Sequence, residues 1–171
     1  MRTKLTIFET KLNRVLAEAG TKFIRAYHIT TVDIPRFDPK YIKDIGFHFA
    51  ENIEQCFDHI GIMEMENPIL ITVDLYINNP LITNDICYWD ETPNLQNLRT
   101  GDEQINQLMP TIETPQDLVK LATKLGYDSI QYNNEYEGGG TAYLVWDTSK
   151  IKIIKKQRVD IDDDTGEPIY L

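Results

Sequence analysis

Residues 126–147 read GYDSIQYNNEYEGGGTAYLVWD, in which two apolar, aromatic segments flank an acidic turn with a run of consecutive glycines. Aromatic and β-branched residues of this kind favour strands. Glycine relaxes the backbone between them and lets a ligand approach closely, because it has no Cβ. The stretch predicts strands at about 128–133 and 142–147 and a loop that holds Glu135 and Glu137 near a strand end. A solvated acidic hairpin tip is the alternative interpretation.

Helices and strands alternate along the rest of the chain, without repeats or low-complexity linkers. Hydrophobic periodicity and turn residues predict further strands over residues 23–29, 46–50, 69–77 and 151–155. Helices are predicted over residues 8–19, 51–60, 103–108 and 115–125, the last with Thr114 as N-cap and Gly126 as its end. Residues 78–114 otherwise read as a long irregular excursion. Several strands late in the chain favour an α+β fold over a doubly wound parallel sheet.

Length and composition predict one domain over residues 1–171, with a helical N-terminal segment (1–22) and an acidic tail (159–171). The longest apolar runs are strand-sized, and the N-terminus lacks a signal-peptide core, which predicts a cytoplasmic protein without a membrane segment. Cys56 and Cys87 have no second pair or histidines at metal-ligand spacing, so we expect a reducing compartment and no metal.

The formal net charge of −10 predicts a field that repels polyphosphate. A nucleic acid is therefore a less favoured partner than a protein. The basic cluster within residues 150–158 is opposed by aspartates just downstream, which favours a solvated strand over a binding patch. Oligomeric state is left open by the sequence.

Familiar catalytic motifs are absent from the sequence: there is no P-loop, dinucleotide glycine fingerprint, Gly-x-Ser-x-Gly elbow or His-Glu-x-x-His pair. What remains is His28 in AYHIT, then His48 in GFHFA, then the Glu135 loop. Singly, each has an ordinary interpretation, since a strand histidine is usually a hydrogen-bonded structural residue. Phe47 and Phe49, at alternating positions, would usually belong to the core.

In this order, the three segments resemble the ADP-ribosyltransferase superfamily, in the branch whose members share a His, Tyr, Glu motif with diphtheria toxin and the poly(ADP-ribose) polymerases. GFHFA is similar to the Gly-x-Tyr-Phe-Ala segment of those enzymes, with His48 where they carry tyrosine. Residues 126–152 are similar to phage and bacterial ADP-ribosyltransferase-like domains, including those of polyvalent phage proteins. The similarity covers about residues 24–155, although residues 61–114 contribute little.

The resemblance implies an α+β fold with a split antiparallel sheet core and flanking helices, and NAD as substrate. It implies that His28 hydrogen-bonds the adenosine ribose, and that Thr30 helps to hold the cofactor. Phe47, His48 and Phe49 would lie along the nicotinamide pocket, although a protonated imidazole beside a cationic nicotinamide would be unfavourable.

Ala142 aligns with the position where the polymerase-type enzymes carry their catalytic glutamate, so another acid acts or the activity is lost. Cleavage of the nicotinamide–ribose bond develops an oxocarbenium-like centre that needs a nearby carboxylate. We assign Glu135 first and Glu137 second. The expected function is an NAD-dependent mono-ADP-ribosyltransferase that modifies a macromolecular acceptor, more readily a host protein than a nucleic acid, in keeping with a phage origin. The alternative is an inactive NAD-binding or protein-binding module, favoured by Ala142 and His48.

Overall fold

The computed structural model describes residues 22–57, 65–89, 91–162 and 168–171, which contain eight strands and four short helices. The strands are β1 (Ile24–Thr30), β2 (Phe47–Ala50), β3 (Ile69–Leu75), β4 (Pro80–Thr83), β5 (Ser129–Asn133), β6 (Thr141–Val145), β7 (Ile151–Ile161) and β8 (Pro168–Tyr170). The helices are α1 (Ile53–Phe57), α2 (Thr92–Leu95), α3 (Glu103–Leu108) and α4 (Pro115–Lys124). The helix predicted over residues 8–19 lies outside the described residues.

The strands form one sheet in the order β4-β5-β6-β2-β1-β3-β7-β8. The β4–β5 pair is parallel and the other pairs are antiparallel. The α+β class is confirmed, and the sheet is mixed because its edge pair β4–β5 is parallel. Parallel neighbours need a long crossover, and the segment with α2, α3 and α4 supplies it. Of that segment, α4 was predicted, whereas residues 78–114 had been expected to be irregular except near α3.

β7 is longer than predicted and continues into the segment expected to be an acidic tail. Val159 is buried beside Ile29 and Leu70, and β8 pairs with the end of β7. The alternation of apolar and charged residues beyond residue 155 is therefore strand structure rather than a solvated tail. No helix in the described ranges is long and apolar enough to cross a membrane.

The join between β1 and β2 is narrow. These strands pair only at Tyr27 and Ala50, whereas β1 pairs with β3 along its whole length and β2 pairs with β6 along its whole length. Beyond Tyr27 and Ala50 the backbones of β1 and β2 are not paired as a ladder. This opening in the middle of the sheet positions the candidate site.

Both faces of the sheet are covered by apolar clusters. Along β6, Ala142 and Leu144 belong to one cluster, with Leu118 of α4, whereas Tyr143 and Val145 belong to another. Neighbouring residues of a strand point to opposite faces, so the two clusters lie on opposite sides of the sheet. The α4 cluster supports the face on which the acidic loop begins.

The N-terminus of α4 is capped as the sequence predicts. The Thr114 hydroxyl oxygen accepts a hydrogen bond from the Asp117 backbone N–H, and the hydroxyl donates to the Asp117 carboxylate. We expect Thr114→Ala to lower the free energy of unfolding by about 1 kcal/mol, measured by urea denaturation. The control is Thr123→Ala, at an exposed position near the end of the same helix, where alanine has the higher helix propensity. Equal losses in both variants would contradict the capping role.

Candidate functional site

A cavity of about 350 Å³ opens where β1 and β2 separate, and we call it the cleft cavity. It receives side chains from β1, β2, α1, β5 and the loop between β5 and β6. Its lining residues include His28, Phe47, His48, Gln55, Tyr132, Asn134, Glu137 and Ala142. The volume lies within the range of about 300–1,000 Å³ that small-molecule sites occupy.

His28 joins the two strands through its side chain at the point where their backbones stop pairing. Its Nδ1 lies 2.9 Å from the backbone oxygen of His48. A carbonyl oxygen only accepts, so Nδ1 carries the proton and, in the neutral ring, Nε2 is an acceptor. The ring also packs edge-on against Phe37, at a centroid distance of 5.4 Å. The ring of His28 is therefore held in a defined orientation at the cleft.

His48 belongs to a cluster of polar side chains with Asp44 and Tyr132, on the opposite side of β2 from Phe47 and Phe49. Its Nε2 lies 3.1 Å from the Asp44 carboxylate, and its Nδ1 lies 3.2 Å from the Tyr132 hydroxyl. Burial is the largest single effect on the pKa of Asp44 and raises it, whereas the hydrogen bond and charge of His48 lower it. Only together with the backbone N–H groups of Ile45 and Gly46 do these His48 contributions exceed the effect of burial and hold that pKa below its usual value. These contacts fix the orientation of the His48 imidazole, which stands where the Gly-x-Tyr-Phe-Ala segment that the sequence resembles carries tyrosine.

Phe47, His48 and Phe49 all line the cleft cavity, but from opposite faces of the sheet. His48 contacts Tyr132, whereas both phenylalanines pack against Phe37, with centroid distances of 4.9 and 5.1 Å. Strand alternation explains this separation. Phe49 is only 1% exposed. Its ring belongs to the core and offers little surface to a ligand, whereas Phe47 remains partly exposed.

Thr30 does not line the cleft cavity. It lines a second cavity of about 800 Å³, the loop cavity, formed by β1 and residues 31–43. The two cavities share His28, Phe47 and Lys43 among their lining residues. His28 thus lies at the boundary between the smaller cleft cavity and the larger loop cavity, and the exposed cation Lys43 lines both.

The loop between β5 and β6 holds Asn134 and Glu137 at the cleft. Backbone hydrogen bonds from Asn134 N–H to Gly140 oxygen and from Gly139 N–H to Asn134 oxygen close the loop. Gly138, Gly139 and Gly140 all have positive φ, which favours glycine. The buried Asn134 side chain donates to the Glu137 carboxylate at 3.2 Å. The loop is thus an ordered support for one carboxylate.

The two glutamates of this loop have different locations. Glu137 is half-buried and lines the cleft cavity. Glu135 is exposed and does not line the cleft cavity or the loop cavity. The geometry therefore reverses the preference that the sequence suggested. Of these two glutamates, Glu137 is the one that can meet a ligand in the cleft.

Gln55 of α1 is a buried donor beside this carboxylate loop. Its Oε1 accepts the Asn52 backbone N–H at 3.0 Å, which fixes the orientation of the amide. Its Nε2 is buried and, among the described residues, has no hydrogen-bond partner. An added Cβ at Gly140 would lie 3.0 Å from Nε2, so glycine allows the loop to pack against it. An unsatisfied buried donor at a cavity wall suits a ligand oxygen.

Two other reactive groups in the cleft are unsuited to act as nucleophiles at neutral pH. Burial, with the nearby Glu137 and Glu54 carboxylates, raises the pKa of Cys56 to about 12. Burial, with neighbouring carboxylates, also raises the pKa of Tyr132. Both groups are therefore protonated at neutral pH, since only the thiolate or phenolate is a strong nucleophile. The chemistry of the cleft rests on its carboxylates, imidazoles and amides.

Sequence reasoning found His28 and the acidic loop but missed Asp44, Gln55, Tyr132 and Asn134 as cleft residues. A signal for two of them is present, since Ile130 and Tyr132 of β5 and Asn134 just after its end alternate in sequence and are all buried. A polar residue that continues a buried alternation is a candidate site residue. Asp44 and Gln55 contact near neighbours in the sequence, His48 and Asn52, but no hydrophobic periodicity marks those contacts.

The Asp44 contacts predict a pH-dependent contribution to stability. A carboxyl group whose pKa is lower in the folded than in the unfolded state stabilises the folded protein at pH values above its unfolded pKa, which is near 3.9. This stabilisation is lost as the pH falls through the folded pKa. We expect Asp44→Asn to lower the free energy of unfolding by about 1.5 kcal/mol at pH 7. In urea denaturation, the difference in the free energy of unfolding between Asp44→Asn and the natural protein should shrink between pH 5 and pH 3, because the reference pKa of aspartate, about 3.9, lies in this interval. A difference that stays constant would contradict it.

Comparison of the chain with protein-family models, with curated proteins and with solved structures finds no match. The chemistry of the cleft is therefore the basis for assigning a function. An oriented imidazole, a half-buried carboxylate and an unsatisfied amide donor surround one cavity. Such a set can bind a hydroxylated ligand and stabilise developing positive charge.

Proposed function

We propose that the protein is an NAD-dependent mono-ADP-ribosyltransferase that modifies an acceptor protein. The observation that carries the proposal is that His28 and Glu137, far apart in sequence, line one cleft at the narrow join of the sheet. The resemblance of AYHIT, GFHFA and the glycine-rich loop to ADP-ribosyltransferases supports the same interpretation. The ordered segments and the shared cavity are independent observations.

In this proposal NAD⁺ spans the cleft cavity and the loop cavity. The larger loop cavity holds the adenosine end, with the His28 ring at the ribose and Thr30 beside it. Lys43, which lines both cavities and is exposed, faces the phosphates. The nicotinamide end enters the cleft cavity beside Phe47, and the Gln55 Nε2 donates to an oxygen of this end. That oxygen would accept a hydrogen bond from Gln55 Nε2, which has no partner among the described residues.

Glu137 acts on the ribose next to nicotinamide. The C1′–N1 bond breaks and its electron pair leaves with nicotinamide, so positive charge develops on the ribose. A carboxylate held beside the ribose stabilises this charge, and removal of such a preorganised group costs about 10²–10³ in rate in other enzymes. The Asn134 amide keeps the Glu137 carboxylate oriented through the 3.2 Å hydrogen bond.

His48 takes the place that a tyrosine would hold, and its contacts limit what it can do. Asp44 and Tyr132 hold the ring by both nitrogens, so the imidazole is positioned by hydrogen bonds rather than by stacking in the core. The neighbouring carboxylate of Asp44 also offsets positive charge on that ring. His48 thus contributes a fixed polar wall of the nicotinamide end.

A binding module without transferase activity is the second candidate, and Ala142 favours it. Ala142 lines the cleft cavity and is 2% exposed. It aligns with the position where the polymerase-type enzymes that the sequence resembles carry their catalytic glutamate. In that case the cleft would bind NAD⁺ but would not release nicotinamide. The two candidates share the ligand and differ only in turnover.

Measurement of nicotinamide release distinguishes the transferase from the binding module. Purified protein is incubated with NAD⁺ and bacterial lysate, and free nicotinamide is measured together with transfer of a label from adenine-labelled NAD⁺ to protein. We expect release and label transfer by the natural protein. Binding of NAD⁺ without release would support the binding module, and release without labelled protein would indicate hydrolysis rather than transfer.

A further inference from the structure

A third cavity lies against the cleft cavity on the far side of Glu137. It has a volume of about 300 Å³, and we call it the aromatic cavity. Its lining residues are Asp85, Cys87, Tyr88, Trp89, Tyr132, Asn134, Tyr136 and Glu137. Tyr132, Asn134 and Glu137 also line the cleft cavity, so the two cavities share a wall. A group bound in the aromatic cavity would meet the candidate catalytic carboxylate.

The aromatic cavity has a negative electrostatic character. Asp85 and Glu137 both raise the pKa of Cys87, after the larger effect of burial, and both also contribute to the raised pKa of Tyr132. No lysine or arginine among the described residues lines this cavity. Two carboxylates without a lining cation favour a positively charged ligand.

One carboxylate oxygen of Asp85 can accept a hydrogen bond from a ligand. Its Oδ1 accepts the Cys87 backbone N–H at 3.1 Å, which holds the side chain in the turn after β4. Its Oδ2 is buried and, in the part of the chain that the structure describes, has no hydrogen-bond partner. A buried carboxylate oxygen without a donor is costly, and a cationic ligand with N–H donors would satisfy it.

Aromatic rings complete the cavity. Trp89 and Tyr132 are buried, with their ring centroids 4.9 Å apart. Tyr88 and Tyr136 are 58% and 57% exposed, so large apolar surfaces remain at the mouth of the cavity. Cations bind the faces of such rings, and exposed aromatic side chains are common at recognition surfaces.

We propose that the aromatic cavity receives the guanidinium group of an arginine on the acceptor protein, an inference that rests on the proposed function. A guanidinium is planar, stacks on aromatic rings and donates two parallel hydrogen bonds to a carboxylate, here that of Asp85. An ammonium is compact and strongly hydrated and uses the rings less well. The net charge of −10 also favours a basic acceptor.

The transfer balances with one proton released. A guanidinium nitrogen forms a bond to C1′ of the ribose as the C1′–N1 bond breaks and its electron pair leaves with nicotinamide. The attacking nitrogen loses a proton to the Glu137 carboxylate, which passes it to water. The products are ADP-ribosyl arginine, neutral nicotinamide and a proton, so no other reactant is required.

Binding of small arginine analogues tests the cavity without NAD⁺. N-acetyl-arginine amide, N-acetyl-lysine amide and the neutral isostere N-acetyl-citrulline amide are titrated separately, and the Trp89 indole N–H is followed by NMR. We expect saturable binding of the arginine compound, weaker binding of lysine and about tenfold weaker or no binding of citrulline, as expected for loss of a charged hydrogen bond. Citrulline binding equal to arginine, or tighter lysine binding, would overturn the proposal.

Variants locate the binding. Asp85→Asn should weaken binding of the arginine compound about tenfold, and Tyr136→Leu should also weaken it, which covers the case in which Asp85→Asn is poorly folded. Asp160→Asn removes a carboxylate from β7, toward the opposite edge of the sheet, and is the matched control. An unchanged affinity in Asp85→Asn and Tyr136→Leu would place the guanidinium elsewhere. Arginine binding without NAD⁺ turnover would contradict the transferase function but support the aromatic cavity as a guanidinium site. Turnover without arginine binding would contradict the guanidinium site alone.

Discussion

Replacement of Glu137 by glutamine is expected to lower the rate of nicotinamide release at least about 100-fold, while NAD⁺ still binds. Glutamine keeps the size of the side chain but loses the charge that favours the transition state over the bound substrate. The Asn134 contact holds the group at the cleft, so the change alters charge more than shape. The measurement is nicotinamide release at saturating NAD⁺, with NAD⁺ affinity determined in parallel.

Glu135→Gln is the matched control, because it makes the same chemical change two residues earlier in the same loop. Glu135 is exposed and lies outside the three cavities. We expect its rate to stay within about twofold of the natural protein, since exposed substitutions away from a site have small effects. A loss of turnover in Glu135→Gln with normal turnover in Glu137→Gln would restore the order suggested by the sequence.

Gly46→Ala is expected to lower the free energy of unfolding by about 3 kcal/mol. A Cβ at Gly46 would lie 2.7 Å from both the carbonyl carbon and the oxygen of Val145, and 3.0 Å from the Trp146 nitrogen. These are backbone atoms of β6 and its end, so no side chain can rotate to relieve the contact. The entry to β2 must move away from β6, and urea denaturation measures the cost.

Gly101→Ala is the control for this prediction. An added Cβ there meets only Ile82 atoms at 3.9 Å, an ordinary van der Waals distance. We expect a change within about 0.5 kcal/mol, because the site is open. A Gly46→Ala variant as stable as Gly101→Ala would show that β2 can separate from β6 without loss. That result would also weaken the case for a rigid cleft wall.

Local patterns were sufficient for most of the fold. The helix that begins after Thr114 and the hairpin strands β5 and β6 were predicted because caps, glycine and alternation are local signals. β4 was missed because four residues that start with proline, followed by polar turns, give no periodic signal. Its parallel partner β5 follows only after a long helical crossover. Pairing at that distance has no local sequence code.

The candidate site could be predicted only in part, for a related reason. His28 and His48 were found in their strands, and the structure brings both to one cleft. The choice between Glu135 and Glu137 depends on how the glycines turn the loop, and sequence spacing does not encode that. Gln55 lines the cleft because α1 follows β2 directly, and its importance appears only from the lack of a partner for Nε2.

Titration of the protein with NAD⁺ by calorimetry tests the assignment of the cleft most directly. We expect saturable binding with a Kd of about 1 µM to 1 mM, the usual range for enzyme substrates. His28→Ala should weaken it about tenfold, because the ring that orients the adenosine ribose is lost. No binding at millimolar NAD⁺, or equal binding by the natural protein and a folded His28→Ala variant, would contradict the cleft as an NAD⁺ site.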